Sequence, residues 1–318
     1  MKFVLIVMMI TLLFTGCSLE RVESLSDQTI QQIAMLPQNS QVLGYVNAQQ
    51  MLNSPMYEFI KSESGRDPFM NDMYREFTET TGFDLREDIV DLLFAGTLEP
   101  DNESAGLFVA FGDYNVDKLT DYITAQDEEK ELQHVAYGTH NLIVGDEHNF
   151  TMCFADSKHF VAGRKDIVTN WLDQFDGKTE TKKPDVQLIN RIERLPNRQS
   201  MWMLMETASF LKGLKSPIKG LKNVTRAEMS IKLDESFHMY SHVTCVDDEK
   251  AELVHDALRG LLSSMKLAIS DDRDAVDVIN KIKTNTEGNS VNGQMEMNQE
   301  DIKKLIQKEH TLRDIRSI

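Results

Sequence analysis

The chain is short of cysteine, of long apolar runs, of positive charge and of any recognisable catalytic signature. Its longest apolar run, Phe3 to Phe14, covers twelve residues. A helix crossing a bilayer needs about 20, so no stretch reads as a spanning helix. Lys and Arg number 34 against 51 Asp and Glu, a formal charge of −17. Such a surface repels nucleic acid and anionic lipid over most of its area, and no nucleic-acid partner is expected. There is no G-x-S-x-G, H-E-x-x-H, Walker loop, G-x-G-x-x-G or EF-hand spacing to place a nucleophile, a metal or a nucleotide. No catalytic residue, cofactor or metal ligand is therefore nominated. Cysteine occurs three times, at Cys17, Cys153 and Cys245. The last two lie inside the strand-like runs FTMCFA and SHVTCV, where a free thiol behaves as a small core residue. Two buried thiols are expected rather than a bridge.

What the chain does have begins at its first residue. MKFVLIVMMITLLFTGC carries one basic residue, Lys2, then the apolar run, then Thr15-Gly16 ahead of Cys17. The apolar run has the length of a secretory h-region, about 7–15 residues. The ending resembles the lipobox of bacterial lipoproteins, with Phe14 standing where leucine is usual. That resemblance implies cleavage before Cys17, lipidation of Cys17, and attachment of everything downstream to a membrane of the cell envelope. Ser18 after the cysteine, by analogy with enterobacterial lipoproteins, implies the outer rather than the inner membrane. Each buried acyl methylene contributes about 0.8 kcal/mol, so several chains hold firmly where one holds weakly.

The 41% apolar and 27% charged composition is that of a globular protein. The roughly 300 residues beyond the cleavage point suffice for two ordinary domains or one large one. Residues 1–16 read as the signal peptide, 17–39 as a lipidated tether with a short helix, and 40–177 as a first α+β unit. Residues 178–198, polar and charged, read as a linker with a helix through Leu188, Ile189 and Ile192, and 199–318 as a second unit. Ser54-Pro55, Asp84 with Glu87, Asn115, Asp247, and Asn298 with Asp301 are helix-start signals, and Thr207 is placed to cap a short helix. QVLGYV, GLFVAF and MWMLM are apolar strands, and short polar turns between 133 and 162 mark antiparallel neighbours. GLFVAFGDYNVDKLTDYI answers FHMYSHVTCVDDEKAELVHDAL as strand, acidic turn and amphipathic helix. The fold expected is α+β, a tandem duplication of an antiparallel sheet with helices packed on one face; the alternative is one continuous α+β domain.

Several clusters invite a chemical reading and are explained without one. His238, Tyr240 and His242 share one strand face, but His238 and His242 stand about 13 Å apart, too far to share a metal. They read as the polar outer face of a half-buried strand. Asp271, Asp272, Asp274 and Asp277 are accounted for by helix capping and the macrodipole, and Met201, Met203 and Met205 by packing. Charge is less evenly spread. Between Lys178 and Arg226, eleven Lys/Arg face four Asp/Glu, a local charge of +7 that leaves −24 elsewhere. Within it Lys212, Lys215, Lys219 and Lys222 alternate with Phe210, Leu211, Leu214, Ile218 and Leu221, a mixture suited to an anionic membrane surface or an acidic envelope partner. The function expected is that of a membrane-anchored envelope lipoprotein acting as a non-catalytic binding or scaffolding module. The alternative is an envelope hydrolase whose Asp, Glu and His residues only the fold brings together.

Overall fold

A computed structural model of the chain describes residues 24–64, 72–97, 106–125, 132–145, 150–207 and 222–316. Helix α1 (Asp27–Ala34) leads into β1 (Val42–Asn47), α2 (Ala48–Leu52), α3 (Pro55–Ser64), α4 (Asp72–Thr81), α5 (Leu85–Asp88), β2 (Ile89–Gly96) and β3 (Gly106–Gly112). Next come α6 (Val116–Ala125), the strands β4 (Gln133–Tyr137), β5 (His140–Val144), β6 (Phe150–Phe154) and β7 (His159–Arg164), and α7 (Lys165–Phe175). The remainder is α8 (Val186–Arg194), β8 (Met201–Glu206), β9 (Val224–Leu233), β10 (Phe237–Cys245), α9 (Asp248–Ala268), α10 (Arg273–Asn280), β11 (Lys283–Glu287), β12 (Ser290–Met297) and α11 (Gln299–Arg316). Among the described residues, no helix is long and apolar enough to cross a membrane.

Local chemistry sets most of these boundaries. Ser54 Oγ accepts from Tyr57 N–H ahead of Pro55, and Asn47 Oδ1 accepts from Gln50 N–H. Asp247 and Asp272 cap α9 and α10 through their side chains, so one of the four clustered aspartates is a cap, as the local pattern requires. Asn298 and Asp301 form a reciprocal capping box for α11. One expected start differs. The box opened by Asp84 closes on Asp88 instead of Glu87, and the strand begins at Ile89, so the helix is a single turn. The short helix expected after Thr207 lies outside the described residues; the Thr207 hydroxyl donates to the Val224 carbonyl and ties the end of β8 to β9.

The twelve strands among the described residues join one antiparallel sheet in the order β11-β12-β10-β9-β8-β1-β2-β3-β7-β6-β5-β4. The two halves of the chain meet at the β1·β8 pair, Leu43 opposite Leu204 and Tyr45 opposite Trp202. On either side the order repeats. Strands β1-β2-β3 and β8-β9-β10 are consecutive meanders, each followed by a helix (α6 or α9) and by strands that return beside the third. The returning strands β7 and β12 each feed a closing helix, α7 or α11.

The α+β class and the antiparallel sheet are those expected; the helices, expected on one face, cover both. Leu43, Leu93, Val109, Val161, Trp202 and Leu204 point to a first face, where they bury Ile33 and Leu36, Trp171 and Leu172 of α7, and Ile192 of α8. The opposite alternation of the same strands packs elsewhere. Ala110 and its neighbours Leu92 and Phe160 meet Phe77 of α4 and Leu119 of α6, and Cys245 and Val291 meet Ala251 and Leu258 of α9. Both faces of the central strands are apolar, which is why they read as continuous apolar runs. Beyond α8 no helix among the described residues covers the first face, which turns polar, with Glu228, Ser230, Tyr240 and His242 in the alternating positions.

Candidate ligand clefts at the junction of the halves

Helix α8 lies across the sheet where the halves meet. Asp185 caps it, accepting from Gln187 N–H at 2.8 Å, and Ile192 and Leu195 anchor it in the first-face core. Arg191, one residue before Ile192, is directed along the strands. Its Nη1 donates to Glu206 Oε1 at 2.6 Å and its Nε to Glu228 Oε1 at 2.7 Å. Nη2 is buried and has no hydrogen-bond partner among the described residues. Burial works against the guanidinium charge, but Glu228 and Glu206 outweigh it and hold the group above its ordinary range. The side chains of Arg191 and Glu228 are only 21% and 10% exposed, so this is a largely desolvated ion pair.

Two hollows flank that pair. One, about 240 Å³, is lined by Leu36, Gln38, Gln41 and Leu43 from the first half and by Leu188, Leu204 and Glu206 from the second. The other, about 250 Å³, is lined by Arg194, Leu195, Arg226, Glu228, Tyr240, His242 and Thr244. Arg191 and Arg226 border both. In the second cleft Asn292 Oδ1 accepts from Tyr240 Oη at 3.0 Å and lies 2.8 Å from His242 Nδ1. That contact places the imidazole proton on Nδ1 and leaves Nε2 facing Thr244 Oγ1 at 3.5 Å. Burial, with Glu228 and Glu287 nearby, holds the Tyr240 phenol above its ordinary value. A wider hollow of about 930 Å³ opens on the same face between the α1–β1 connection and Asn170, Trp171 and Gln174 of α7.

The residues nominated from sequence are distributed unevenly over this picture. Cys17, Lys212, Lys215 and Lys219 lie outside the described residues. Lys222 is exposed just before β9. His238, Tyr240 and His242 do share a face, and His238 Nε2 stands 3.8 Å from Asp234 Oδ1; Tyr240 and His242 also line the second cleft. Among the described residues no three His, Cys, Asp or Glu side chains converge in a way that could hold a metal ion. Cys153 and Cys245 are free and buried. The Arg191 cluster has no sequence motif, because its members come from one helix and two strands 15 and 37 positions away. The available signal is the polar alternation Arg226, Glu228, Ser230, which starts where the positively charged stretch ends.

No protein-family model matches the chain, and no curated protein matches it. Solved structures similar to it include crystal form IV of TP0453, at 8% identity and a TM-score of 0.49, covering 86% of this chain and 95% of that one. Crystal form III of TP0453 is similar at 6% identity and a TM-score of 0.48, and form I at 8% and 0.44, over 86% of this chain and 96% and 95% of those chains. At identities this low and TM-scores under 0.5, these likenesses say nothing about function.

Proposed function

We propose that the chain is a lipid-anchored envelope protein, held to a membrane through Cys17, whose duplicated α+β ectodomain binds a ligand or partner rather than turning over a substrate. The observation that carries this reading is the pair of clefts at the β1·β8 junction. Residues of both halves line the first, and a desolvated Arg191–Glu228 pair separates it from the second. Side chains held in such a network are pre-organised, which lowers the entropic cost of binding. An envelope pull-down with the lipidated protein tests the reading. Recovery of a partner that an Arg191→Met variant fails to recover supports it, and no partner with either protein counts against it.

The anchor has its own test. Cys17→Ser is expected to leave the ectodomain folded and move it out of the membrane fraction, read by fractionation and circular dichroism. A variant that stays membrane-bound removes the lipid anchor from the proposal. The hydrolase reading draws on one observation, His242 poised between Asn292 and Thr244, an order that places a base between an orienting group and a hydroxyl. Ester turnover abolished by His242→Ala would replace binding with hydrolysis.

A further inference from the structure

Charge is distributed unusually around the second cleft. Arg191 is engaged by two carboxylates, Glu206 and Glu228. Arg194 and Arg226 line the same cleft, and no carboxylate among the described residues pairs with either guanidinium at ion-pair distance. In a chain of formal charge −17, three guanidinium groups therefore converge on one hollow of about 250 Å³. Strand register puts them there: Arg226 stands opposite Glu206 on one side and Thr244 on the other, so its side chain shares the face of α8. Glu228 lines the cleft and Glu206 the neighbouring hollow, and Arg191 binds both; Glu287 acts on the cleft from the Tyr240 side. The cleft also offers a phenol and an imidazole held by Asn292, and the Thr244 hydroxyl.

Resting on the binding reading above, we propose that this cleft takes the phosphate group of a small phosphorylated ligand, with Arg226 and Arg194 as its direct partners. A guanidinium presents N–H donors in a planar fork that matches a phosphate or carboxylate edge with two parallel hydrogen bonds. Two forks with no carboxylate partner among the described residues suit a doubly charged oxyanion better than a single carboxylate. A cleft of this volume leaves room for an organic body beside the phosphate, against Leu195 and the Tyr240 ring. Arg191 is a positioning residue here: by holding Glu228 it keeps that carboxylate from pairing with Arg226. A soluble phosphate monoester and a phosphatidic acid headgroup present the same chemistry.

Titration calorimetry of the full chain with inorganic phosphate and with glycerol 3-phosphate, and co-sedimentation with phosphatidic acid or phosphatidylcholine vesicles, test the assignment and separate the two sources. Saturable binding to a soluble phosphate or to phosphatidic acid is expected, weakened at least tenfold by Arg226→Gln and by Arg194→Gln. Arg259→Gln removes the same charge from an exposed position on α9, which covers the opposite face of the sheet, and is expected to bind as the unsubstituted chain does. Thermal unfolding and circular dichroism establish that the variants are folded. Wild-type chain that binds none of the probes overturns the proposal, and so does Arg226→Gln binding at full strength, or Arg259→Gln losing as much as Arg226→Gln. The pull-down is independent of these outcomes, because a partner captured by a chain that binds no phosphate removes the anion assignment and leaves the binding module in place.

Discussion

At the scale of single residues, the buried charges decide the most. Arg191 satisfies two carboxylates, so removing it leaves Glu228 desolvated and unpaired. Breaking such a buried pair costs about 3–5 kcal/mol. Because the Glu206 side chain is 46% exposed, the expected loss for Arg191→Met lies near the lower end, about 3 kcal/mol, read from the urea midpoint. Adding Glu228→Leu should restore most of it; a single variant that unfolds where the unsubstituted chain does would refute the pair's structural role. Asp91 carries a charge of a different kind. It accepts from Tyr45 Oη at 2.6 Å, and the Tyr45 ring stacks on Trp202 at 5.8 Å between centroids. Burial raises the Asp91 carboxyl above its ordinary value, with the Tyr45 hydroxyl offsetting part of the shift. The folded chain then holds that proton more tightly than the unfolded chain. The stabilisation is complete below the unfolded value, about 3.9, and is lost as pH rises through the folded one. At pH 7 the ionised carboxylate is therefore a cost. Asp91→Asn keeps an acceptor for Tyr45 and should raise Tm at pH 7 by about 2–4 °C, with the gain shrinking toward pH 4. A constant difference across that range would show that the carboxyl does not titrate as described.

At the scale of elements, close backbone approach sorts the glycines. Gly163 in β7 stands opposite Leu107 of β3, and a Cβ there would collide with the Gly106 carbonyl oxygen. A backbone atom within a sheet cannot swing aside as a side-chain tip can. Gly163→Ala should cost about 2 kcal/mol, within the range for overpacking, and weaken the β3·β7 pair. Gly260 in α9 has open space around it. There alanine gains helix propensity, and Gly260→Ala should stabilise by about 0.5–1 kcal/mol. The two substitutions are chemically identical, so thermal unfolding of the pair reads the difference in environment alone. If both move Tm in the same direction, the collision at Gly106 does not govern β7.

At the scale of the whole molecule, one sheet separates the two thiols. Cys153 in β6 and Cys245 in β10 belong to cores on opposite faces. Seven strand steps lie between them in the sheet order, which at about 4.8 Å per step is over 30 Å. A disulfide needs Cα atoms within about 7 Å. Burial pushes the Cys153 thiol up to about 12, with Asp176 adding to the shift, and burial raises Cys245 as well. Neither thiol is poised to ionise and react. The monomer should migrate identically on reducing and non-reducing gels and react with a thiol reagent only after unfolding. A shift on reduction would contradict the strand order itself.

The sequence by itself determined what depends on neighbours a few positions away. Caps such as Asp247 and Asn298, the apolar runs of β1, β3 and β8, and the polar alternation of β10 are legible because helix and strand periodicities are local. The same holds for the N-terminal stretch ending at Cys17, whose lipobox resemblance is entirely contiguous. Tertiary structure alone decided that β1 pairs with β8, that helices cover both faces, and that Arg191 meets Glu206 and Glu228. An apolar strand reads alike whether one helix layer or two will cover it. Nor does the alternation Arg226, Glu228, Ser230 say which element will lie above it. Those outcomes depend on non-local pairing, where one choice of strand neighbour and register decides which distant side chains share a face.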